Sequence, residues 1–292
     1  MGSETKTFVA TVVLQLVGER KLALADTVER WLPGLVPGGG TISVRQLLNH
    51  TSGLFDYAED KMVERQLDNP MKVWAPRRLV AIATAHAPLF SPGARWSYSN
   101  TGYILLGLIV EKASGKSLGA ELRERIFAPL RLRATSLDTR PQIAGRHAHG
   151  YTRYRKSRLT DISVVSPSLF WAAGAIVSTA DDLLRFHRAL FRGRLLHPRL
   201  LAAMKTTVPV TPQQRYGLGL IVSRYVRCGV FFGHGGETFG YETFTDSRSD
   251  GKRDLVIAVN ADSSVRSERA QGALERLNAI AHCGWPLPRG HG

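Results

Sequence analysis

The hydrophobic pattern of this chain changes near residue 205, and that change most restricts the fold. An apolar helix is predicted over residues 3–18, and the region from about 19 to 205 then carries mainly helical signals. After it come four short segments rich in β-branched and aromatic residues, at Tyr216–Tyr225, Val230–His234, Tyr241–Thr245 and Leu255–Asn260. Turn signals separate these segments, so together they predict an antiparallel meander.

A last helix is predicted over Ser267–His282, where it would cover one face of the sheet. No linker or internal repeat divides the 292 residues. The chain is therefore predicted to form one α/β (α+β) domain over residues 1–292, with an antiparallel sheet flanked by helices. Its helical region covers about 19–205, and its sheet with the C-terminal helix covers about 206–285.

Composition and charge exclude several classes of protein. Hydrophobic residues make up 43% of the chain, which is enough for a core and excludes global disorder. No apolar run reaches the roughly 18 residues of a transmembrane segment, and no signal peptide is visible in the chain as given. The formal net charge is +15. Since zinc-finger, RNA-recognition and helix-turn-helix patterns are missing, no specific nucleic acid is expected as a partner.

The first candidate motif is Ser3-Glu-Thr-Lys6, at the start of the first predicted helix. A separation of three residues places the serine hydroxyl and the lysine ammonium on one face of a helix. Serine needs a base to become a nucleophile, and a lysine with a lowered pKa can supply one. The motif alone has little specificity, because Ser249-Asp-Gly-Lys252 also matches it inside a predicted hairpin turn.

The second candidate motif is Tyr98-Ser-Asn100, just before a helix predicted from Thr101. A tyrosine beside a cation can transfer protons between nucleophile and leaving group. An asparagine amide can bind both a lysine and a substrate carbonyl. The alternative is structural, with Tyr98 as a packed aromatic residue and Asn100 as a helix cap.

The third candidate motif is His234-Gly-Gly236, at the end of a predicted strand. Glycines here allow a substrate backbone to lie alongside as an added antiparallel strand. The backbone amides of Glu237 and Ser3 can together form an oxyanion hole. His282-Cys-Gly284 also matches this short pattern, but it lies at a predicted helix end and is interpreted as structural.

Four segments that contain these motifs occur in order, namely Gly2-Ser-Glu-Thr-Lys-Thr-Phe8, Leu47-Leu-Asn-His-Thr-Ser-Gly-Leu54, Tyr98-Ser-Asn-Thr-Gly-Tyr103 and Gly233-His-Gly-Gly-Glu-Thr-Phe-Gly-Tyr241. Together they resemble the penicillin-recognising serine hydrolases of the class C β-lactamase type. That family includes D-alanyl-D-alanine carboxypeptidases, D-aminopeptidases and β-lactamase-like esterases. The similarity covers essentially the whole chain and implies a β-lactamase/transpeptidase-like fold.

The resemblance implies a catalytic set for acyl transfer. Ser3 is the nucleophile that forms a covalent acyl-enzyme, and Lys6 assists in deprotonating it. Tyr98 is the proton shuttle or base, and Asn100 positions the substrate. No metal or organic cofactor is implied.

The resemblance also implies a substrate-binding set, formed by His234, Gly236 and Glu237 together with Asn100. His234 stands where class C β-lactamases have a lysine, so recognition of a substrate carboxylate becomes pH-sensitive if the imidazole does that work. His-x-Gly in this strand is more typical of the carboxypeptidases and esterases.

The activity that the resemblance favours is therefore that of a D-alanyl-D-alanine carboxypeptidase. Small peptides, esters or β-lactams are the expected substrates, with cell-wall peptidoglycan as a further partner. Two alternatives stay open. One is a β-lactamase-like esterase or amidase, and the other is a truncated, inactive penicillin-binding homologue.

The chain departs from the family pattern at its start. Family members carry several dozen residues before this serine, and those residues form strands of the sheet. We therefore expect the N-terminal strands to be missing and the sheet edge at Leu255–Asn260 to be unpaired. The accompanying hypothesis is a misplaced start or a truncated gene, with Met1 an internal methionine. The full-length form is expected in the cell envelope or outside the cell.

Two cysteines, Cys228 and Cys283, are too few for a disulfide scaffold or a cysteine-based zinc site. Composition leaves open whether they form one bridge or two buried thiols. Cys228 lies six residues before His234, and Cys283 follows the last predicted helix residues, which are expected to pack on the same sheet, so a bridge between the two is compatible with the predicted fold. A bridge would indicate an exported protein.

Overall fold

Helix α1 (Thr5–Gly18) lies in the interior of the protein, as its apolar sequence predicts. The structure is a computed structural model and describes residues 1–137, 139–154, 158–225 and 228–284. Every residue of α1 from Thr5 to Leu14 is buried. A helix that is apolar on nearly all sides is stable only when other elements cover every face. Three of the helices that pack against α1 are α6, α7 and α8, whose bounds are given below.

Ten further helices follow in the described part of the chain, namely α2 (Val28–Trp31), α3 (Val44–Leu48), α4 (Lys61–Glu64), α5 (Pro76–Thr84), α6 (Asn100–Ser114), α7 (Leu118–Leu122), α8 (Trp171–Gly174), α9 (Ala180–Phe191), α10 (Pro198–Met204) and α11 (Glu268–Cys283). A π-helical turn at Arg123–Phe127 follows α7. Among the described residues, none of these helices is long and apolar enough to cross a membrane.

The strands are β1 (Ser136–Leu137), β2 (Tyr151–Thr152), β3 (Thr160–Asp161), β4 (Ile176–Val177), β5 (Val208–Pro209), β6 (Gln214–Tyr216), β7 (Ile221–Tyr225), β8 (Gly229–Thr238), β9 (Tyr241–Arg248) and β10 (Asp254–Val259). Strands β5 to β10 form one sheet in which each strand is antiparallel to its neighbours in the chain. The predicted meander is thereby confirmed. The pairs β1–β4 and β2–β3 lie outside this sheet.

The prediction of one strand over Tyr216–Tyr225 is wrong, because a turn divides it into β6 and β7. The turn approaches α1, and the Thr7 hydroxyl donates a hydrogen bond to Gly219 O at 2.7 Å. Gly219 has a φ of +80°, and a Cβ there would lie 2.4 Å from Ala10 Cβ. Only glycine combines this backbone conformation with so close a contact.

The sheet and the helical region share one hydrophobic core. Helix α9 contacts β9 and β10. On its inner side Phe186 stacks on Phe8 of α1, with ring centroids 3.5 Å apart. Leu218 and Leu220, between β6 and β7, are buried in the same core. This packing fixes the start of α1 against the sheet, where the candidate site lies.

Strand β10 pairs only with β9 among the described residues, so it forms a sheet edge as predicted. Helix α11 was predicted to cover one face of the sheet. Polar residues interrupt its apolar positions, and His282 is its one buried residue. The helix therefore packs closely on the sheet only at its last turn. There His282 stacks on Tyr225, with centroids 4.2 Å apart. A disulfide joins Cys283 to Cys228. Residues 285–292, including the predicted end of this region, lie outside the described residues.

Candidate active site

Ser3 and Lys6 lie together at the start of α1. Ser3 belongs to a 3₁₀ turn at Gly2–Glu4, and Lys6 follows in the first turn of the helix. Lys6 Nζ lies 2.9 Å from Ser3 Oγ, as the three-residue separation predicts. Ser3 is half-buried, whereas Lys6 is buried completely. The serine is therefore accessible to a ligand, and the lysine is not.

The amine of Lys6 contacts three oxygen atoms. Besides Ser3 Oγ, it lies 2.7 Å from Asn100 Oδ1 and 2.7 Å from the carbonyl oxygen of Ala173, which precedes the end of α8. Burial lowers the pKa of Lys6 to about 7, and the negative charge of Asp56 opposes that shift. A substantial fraction of this lysine is therefore an uncharged amine near neutral pH.

Tyr98 lies beside the same two side chains. Lys6 Nζ lies 4.9 Å from the centre of its ring. Burial raises the pKa of the Tyr98 phenol far above its ordinary value, and the interaction with the Ser3 side chain only partly opposes this. The phenol therefore keeps its proton, which suits it to donate and relay a proton rather than to act as a permanent base.

Asn100 does not cap α6, since the helix has Ser99 at its N-cap and no side-chain cap bond there. Its amide instead bridges two charged residues. Asn100 Oδ1 accepts from Lys6, and Asn100 Nδ2 donates to Asp56 Oδ2 at 2.8 Å. Sequence reasoning missed Asp56, which lies two residues beyond the end of the segment Leu47–Leu54. The one feature of the sequence that could have indicated Asp56 was its position, as an acidic residue shortly after that segment.

His234 lies on β8 and is 4% exposed. Its Nδ1 contacts the carbonyl oxygen of Gly235, which can only accept, so Nδ1 carries the proton. The Tyr216 hydroxyl then donates to His234 Nε2 at 2.9 Å. Burial and the nearby charge of Lys6 lower the pKa of His234 to about 3. The ring is therefore uncharged near neutral pH and offers no positive charge to a substrate carboxylate there. The pH-sensitive recognition expected of this imidazole stays a prediction.

Gly236 and Glu237 lie where β8 passes the turn that carries Ser3. A Cβ at Gly236 would be 2.9 Å from Ser3 N and 1.9 Å from Met1 O, so the turn packs directly on this glycine. The Glu237 carboxylate accepts from Ser263 N at 2.9 Å and is exposed. Glu237 therefore brings its backbone, and not its side chain, towards Ser3.

Strand β8 has a free edge next to the site. Strand β7 pairs with β8 only over Gly229–Gly233, whereas β9 pairs along it as far as Thr238. Within the described residues, the segment His234–Thr238 therefore has a neighbouring strand on one side only. An extended ligand can add to such an edge as an antiparallel strand.

Two further polar residues at the site were not singled out from the sequence. Glu4, the residue after the nucleophile, is fully buried and contacts His187 of α9 and Thr245 of β9. His50 has a φ of 59° and stacks obliquely on Tyr98 with centroids 4.3 Å apart. Its Nδ1 accepts from Ser99 N at 3.2 Å. Neither residue has a spacing that marks it in the sequence, since both are brought in by tertiary contacts.

A serine hydroxyl beside a buried amine, with a phenol ring next to that amine, is the arrangement of a serine hydrolase, in which a base activates the nucleophile. A profile of the Beta-lactamase family matches residues 1–280. The chain therefore belongs to the Beta-lactamase family of serine hydrolases, and the resemblance seen in the four sequence segments is confirmed.

Solved structures of two amide hydrolases are similar to this chain. A D-stereospecific amidohydrolase from Streptomyces sp. is 39% identical with a TM-score of 0.91, and the match covers 97% of this chain and 86% of that one. The D-amino acid amidase from Ochrobactrum anthropi SV3, complexed with D-phenylalanine, is 30% identical with a TM-score of 0.83, covering 95% and 81% of the two chains. The predicted β-lactamase/transpeptidase-like fold agrees with these neighbours.

Among curated relatives, penicillin-binding protein 4* of Bacillus subtilis is 28% identical over 285 residues, covering 92% of this chain. The chain spans 62% of the length of that relative and 66% of the length of a second penicillin-binding relative from the same species. The proteins similar to this chain thus include both amide hydrolases and penicillin-binding proteins.

Proposed function

We propose that this chain is a serine hydrolase that cleaves amide or ester bonds of small D-amino-acid derivatives through a covalent ester on Ser3. The observation that carries the proposal is the set of contacts at Lys6. An uncharged amine has two N–H groups and one lone pair. Asn100 Oδ1 and Ala173 O, which can only accept, each take one N–H. The lone pair then faces the Ser3 hydroxyl, so Lys6 is ready to remove its proton.

In the first step, Ser3 Oγ attacks the substrate carbonyl carbon while its proton passes to Lys6 Nζ. The carbonyl oxygen becomes an oxyanion near the backbone N–H groups of Ser3 and Glu237, which lie on the adjoining turn and strand. The bond from carbon to the leaving nitrogen or oxygen then breaks. The Tyr98 hydroxyl gives its proton to the leaving group and regains one from Lys6, which leaves the acyl group on Ser3 and an uncharged amine.

In the second step, water attacks the acyl carbon and returns its proton through the same two residues. The ester bond to Ser3 breaks, and the serine oxygen regains a proton. The products are a carboxylic acid and the starting enzyme. Tyr98 suits this relay because its phenol keeps its proton at rest.

The state of His234 favours substrates with an uncharged leaving group. A carboxypeptidase releases a residue with a free carboxylate, which a cation in the site would recognise. His234 is uncharged, with Tyr216 at Nε2 and Gly235 at Nδ1. Lys6 is buried, with its N–H groups directed at protein carbonyls. Amides and esters therefore fit this site better than C-terminal carboxylates. The names of the two structural neighbours support the same substrate class and the D configuration.

D-alanyl-D-alanine carboxypeptidase activity is the second candidate function. The penicillin-binding relatives favour it, and so does the free edge of β8, which can bind an extended peptide. With this function, the substrates would be cell-wall peptides, and the protein would be located in the cell envelope or outside the cell.

Intact-protein mass spectrometry after incubation with benzylpenicillin tests the nucleophile. We expect a stoichiometric adduct on the chain and none on the Ser3→Ala variant. If a folded protein gives no adduct and hydrolyses no amide, ester or peptide, the chain is an inactive homologue and the proposal fails.

A substrate comparison tests the leaving-group class. We expect hydrolysis of D-phenylalanine amide to exceed that of L-phenylalanine amide and that of an acylated D-alanyl-D-alanine peptide, each measured as kcat/KM. A preference for the peptide would favour the carboxypeptidase candidate. Equal rates on the two phenylalanine amides would contradict the assignment to D-amino-acid substrates.

A further inference from the structure

Asp56 is a buried carboxylate close to the candidate catalytic pair but outside every motif. It is 5% exposed and lies at the N-cap of a 3₁₀ turn at Tyr57–Glu59. Its Oδ1 accepts from Ala58 N at 3.0 Å, and its Oδ2 accepts from Asn100 Nδ2 at 2.8 Å. Burial raises the pKa of Asp56, whereas these N–H donors and the charge of Lys6 oppose that shift by favouring the ionised form. The two hydrogen bonds also fix the position of the carboxyl group.

The contact with Asp56 decides which way the Asn100 amide points. An asparagine amide has one donor end and one acceptor end. With Nδ2 donating to Asp56, Oδ1 must face Lys6 Nζ, at 2.7 Å. The reversed amide would place its oxygen against the carboxylate and its N–H groups against the amine. In that arrangement an N–H of Asn100 would take the lone pair that Ser3 needs.

We infer that Asp56 is a positioning residue for the acyl-transfer reaction, because it holds Asn100 in the orientation that directs the Lys6 lone pair at Ser3. The inference rests on the proposed function. It assigns Asp56 no contact with the substrate, since its two oxygens are occupied by Ala58 and Asn100.

Asp56 also supplies the negative charge that acts on Lys6. The titratable groups around the amine come from four parts of the chain, namely Asp56 and His50 in the segment after α3, Tyr98 before α6, Tyr103 within it, and His234 on β8. Burial raises the pKa of both tyrosines and lowers the pKa of both histidines, so these four are uncharged near neutral pH. Asp56 alone opposes the effect of burial on the pKa of Lys6.

Asp60 provides a matched control. It is the N-cap of α4, and its Oδ1 accepts from Met62 N at 2.7 Å, just as Asp56 accepts from Ala58 N. Its other oxygen contacts His86 on an exposed part of the surface and not Asn100. Changing either aspartate to asparagine removes a capping charge of the same kind, but only the change at Asp56 alters the contacts of Asn100.

The experiment compares Asp56→Asn and Asp60→Asn with the unchanged protein. The rate of Ser3 acylation by benzylpenicillin is followed from about pH 5 to pH 9. The titration of Lys6 is followed by NMR of protein carrying ¹³C-labelled lysine, with Lys6→Arg to assign the signal. For Asp56→Asn we expect about a 100-fold slower acylation on the pH plateau and a Lys6 titration moved to lower pH. For Asp60→Asn we expect neither change.

If Asp56→Asn does not fold, Asp56→Ser replaces it, because serine keeps a capping oxygen without the charge or the reach to Asn100. The inference is overturned if the folded variant acylates at the unchanged rate with an unchanged Lys6 titration. Failure of the proposed function looks different. The unchanged protein then shows no acylation, while the NMR titration still reports whether Asp56 acts on Lys6.

Discussion

Glu4 and His187 form a buried pair directly behind the nucleophile, with Glu4 Oε1 2.5 Å from His187 Nε2. The second carboxylate oxygen of Glu4 contacts the Thr245 hydroxyl, whose oxygen lies 2.9 Å from the carbonyl oxygen of His234. The turn that carries Ser3 is thereby joined to α9, β9 and β8 at one point. Glu4 occupies a variable position of the Ser-x-x-Lys motif and takes no part in its chemistry. In this chain its contacts fix the position of the turn that carries Ser3.

Removal of one partner of this pair should strongly destabilise the fold. We expect His187→Leu to lower the free energy of unfolding by about 3–5 kcal/mol, because Glu4 is left buried without its partner. Urea unfolding followed by circular dichroism measures the change. A loss below about 1 kcal/mol would show that the pair contributes little.

The double variant Glu4→Met/His187→Leu is the control. Breaking a buried pair is costly, whereas replacing both partners by apolar residues of similar volume is often nearly neutral. We therefore expect the double variant to be more stable than His187→Leu alone. If the stability loss of the double variant equals the sum of the losses of Glu4→Met and His187→Leu, then Glu4 and His187 are not coupled.

The rate of acylation should depend on the protonation of Lys6. The base must be uncharged, and burial places its pKa at about 7. The rate should therefore rise with pH through about 7 and reach a plateau above it, with about 1% of the plateau rate two pH units below the pKa. Lys6→Arg, whose guanidinium stays protonated, should be slow at every pH. A flat profile for the unchanged protein would exclude Lys6 as the base.

Gly236 should not tolerate a side chain. A Cβ there would lie 1.9 Å from Met1 O, so Gly236→Ala must displace the turn that holds Ser3. We expect a loss of about 1–3 kcal/mol in stability and a marked loss of acylation, measured by unfolding and by mass spectrometry. Gly235→Ala is the matched control, since its nearest neighbour would be 3.8 Å from the new Cβ. Equal effects of the two changes would contradict the packing role of Gly236.

The bridge between Cys228 and Cys283 should contribute measurably to stability. It closes a loop with a sequence separation of 55 residues, for which chain entropy gives about 4 kcal/mol. We expect the Cys228→Ser/Cys283→Ser variant to unfold at a lower urea concentration than the oxidised protein. Adding a reductant should bring the unchanged protein close to the variant and leave the variant unaffected. An unchanged midpoint on reduction would show that the bridge does not constrain the fold.

The sequence by itself determined the elements and the local part of the site. Helical and strand periodicity predicted α1, the helical region and the meander, because these patterns reflect contacts within one element or between adjacent strands. The proximity of Ser3 to Lys6 follows from one helical turn. The family resemblance then singled out Tyr98 and His234, which no local rule brings to Ser3.

Only the tertiary structure decided how the site residues are charged and oriented. The pKa of His234 is lowered by burial and by the charge of Lys6, and its ring is held by Tyr216, which lies 18 residues away in the chain. Asp56 acts on Lys6 through Asn100, 44 residues further on, and Glu4 contacts His187 across a separation of 183 residues. Such contacts leave no periodic pattern in a sequence. Burial and hydrogen bonding, which set the pKa of each group, exist only once distant segments have packed together.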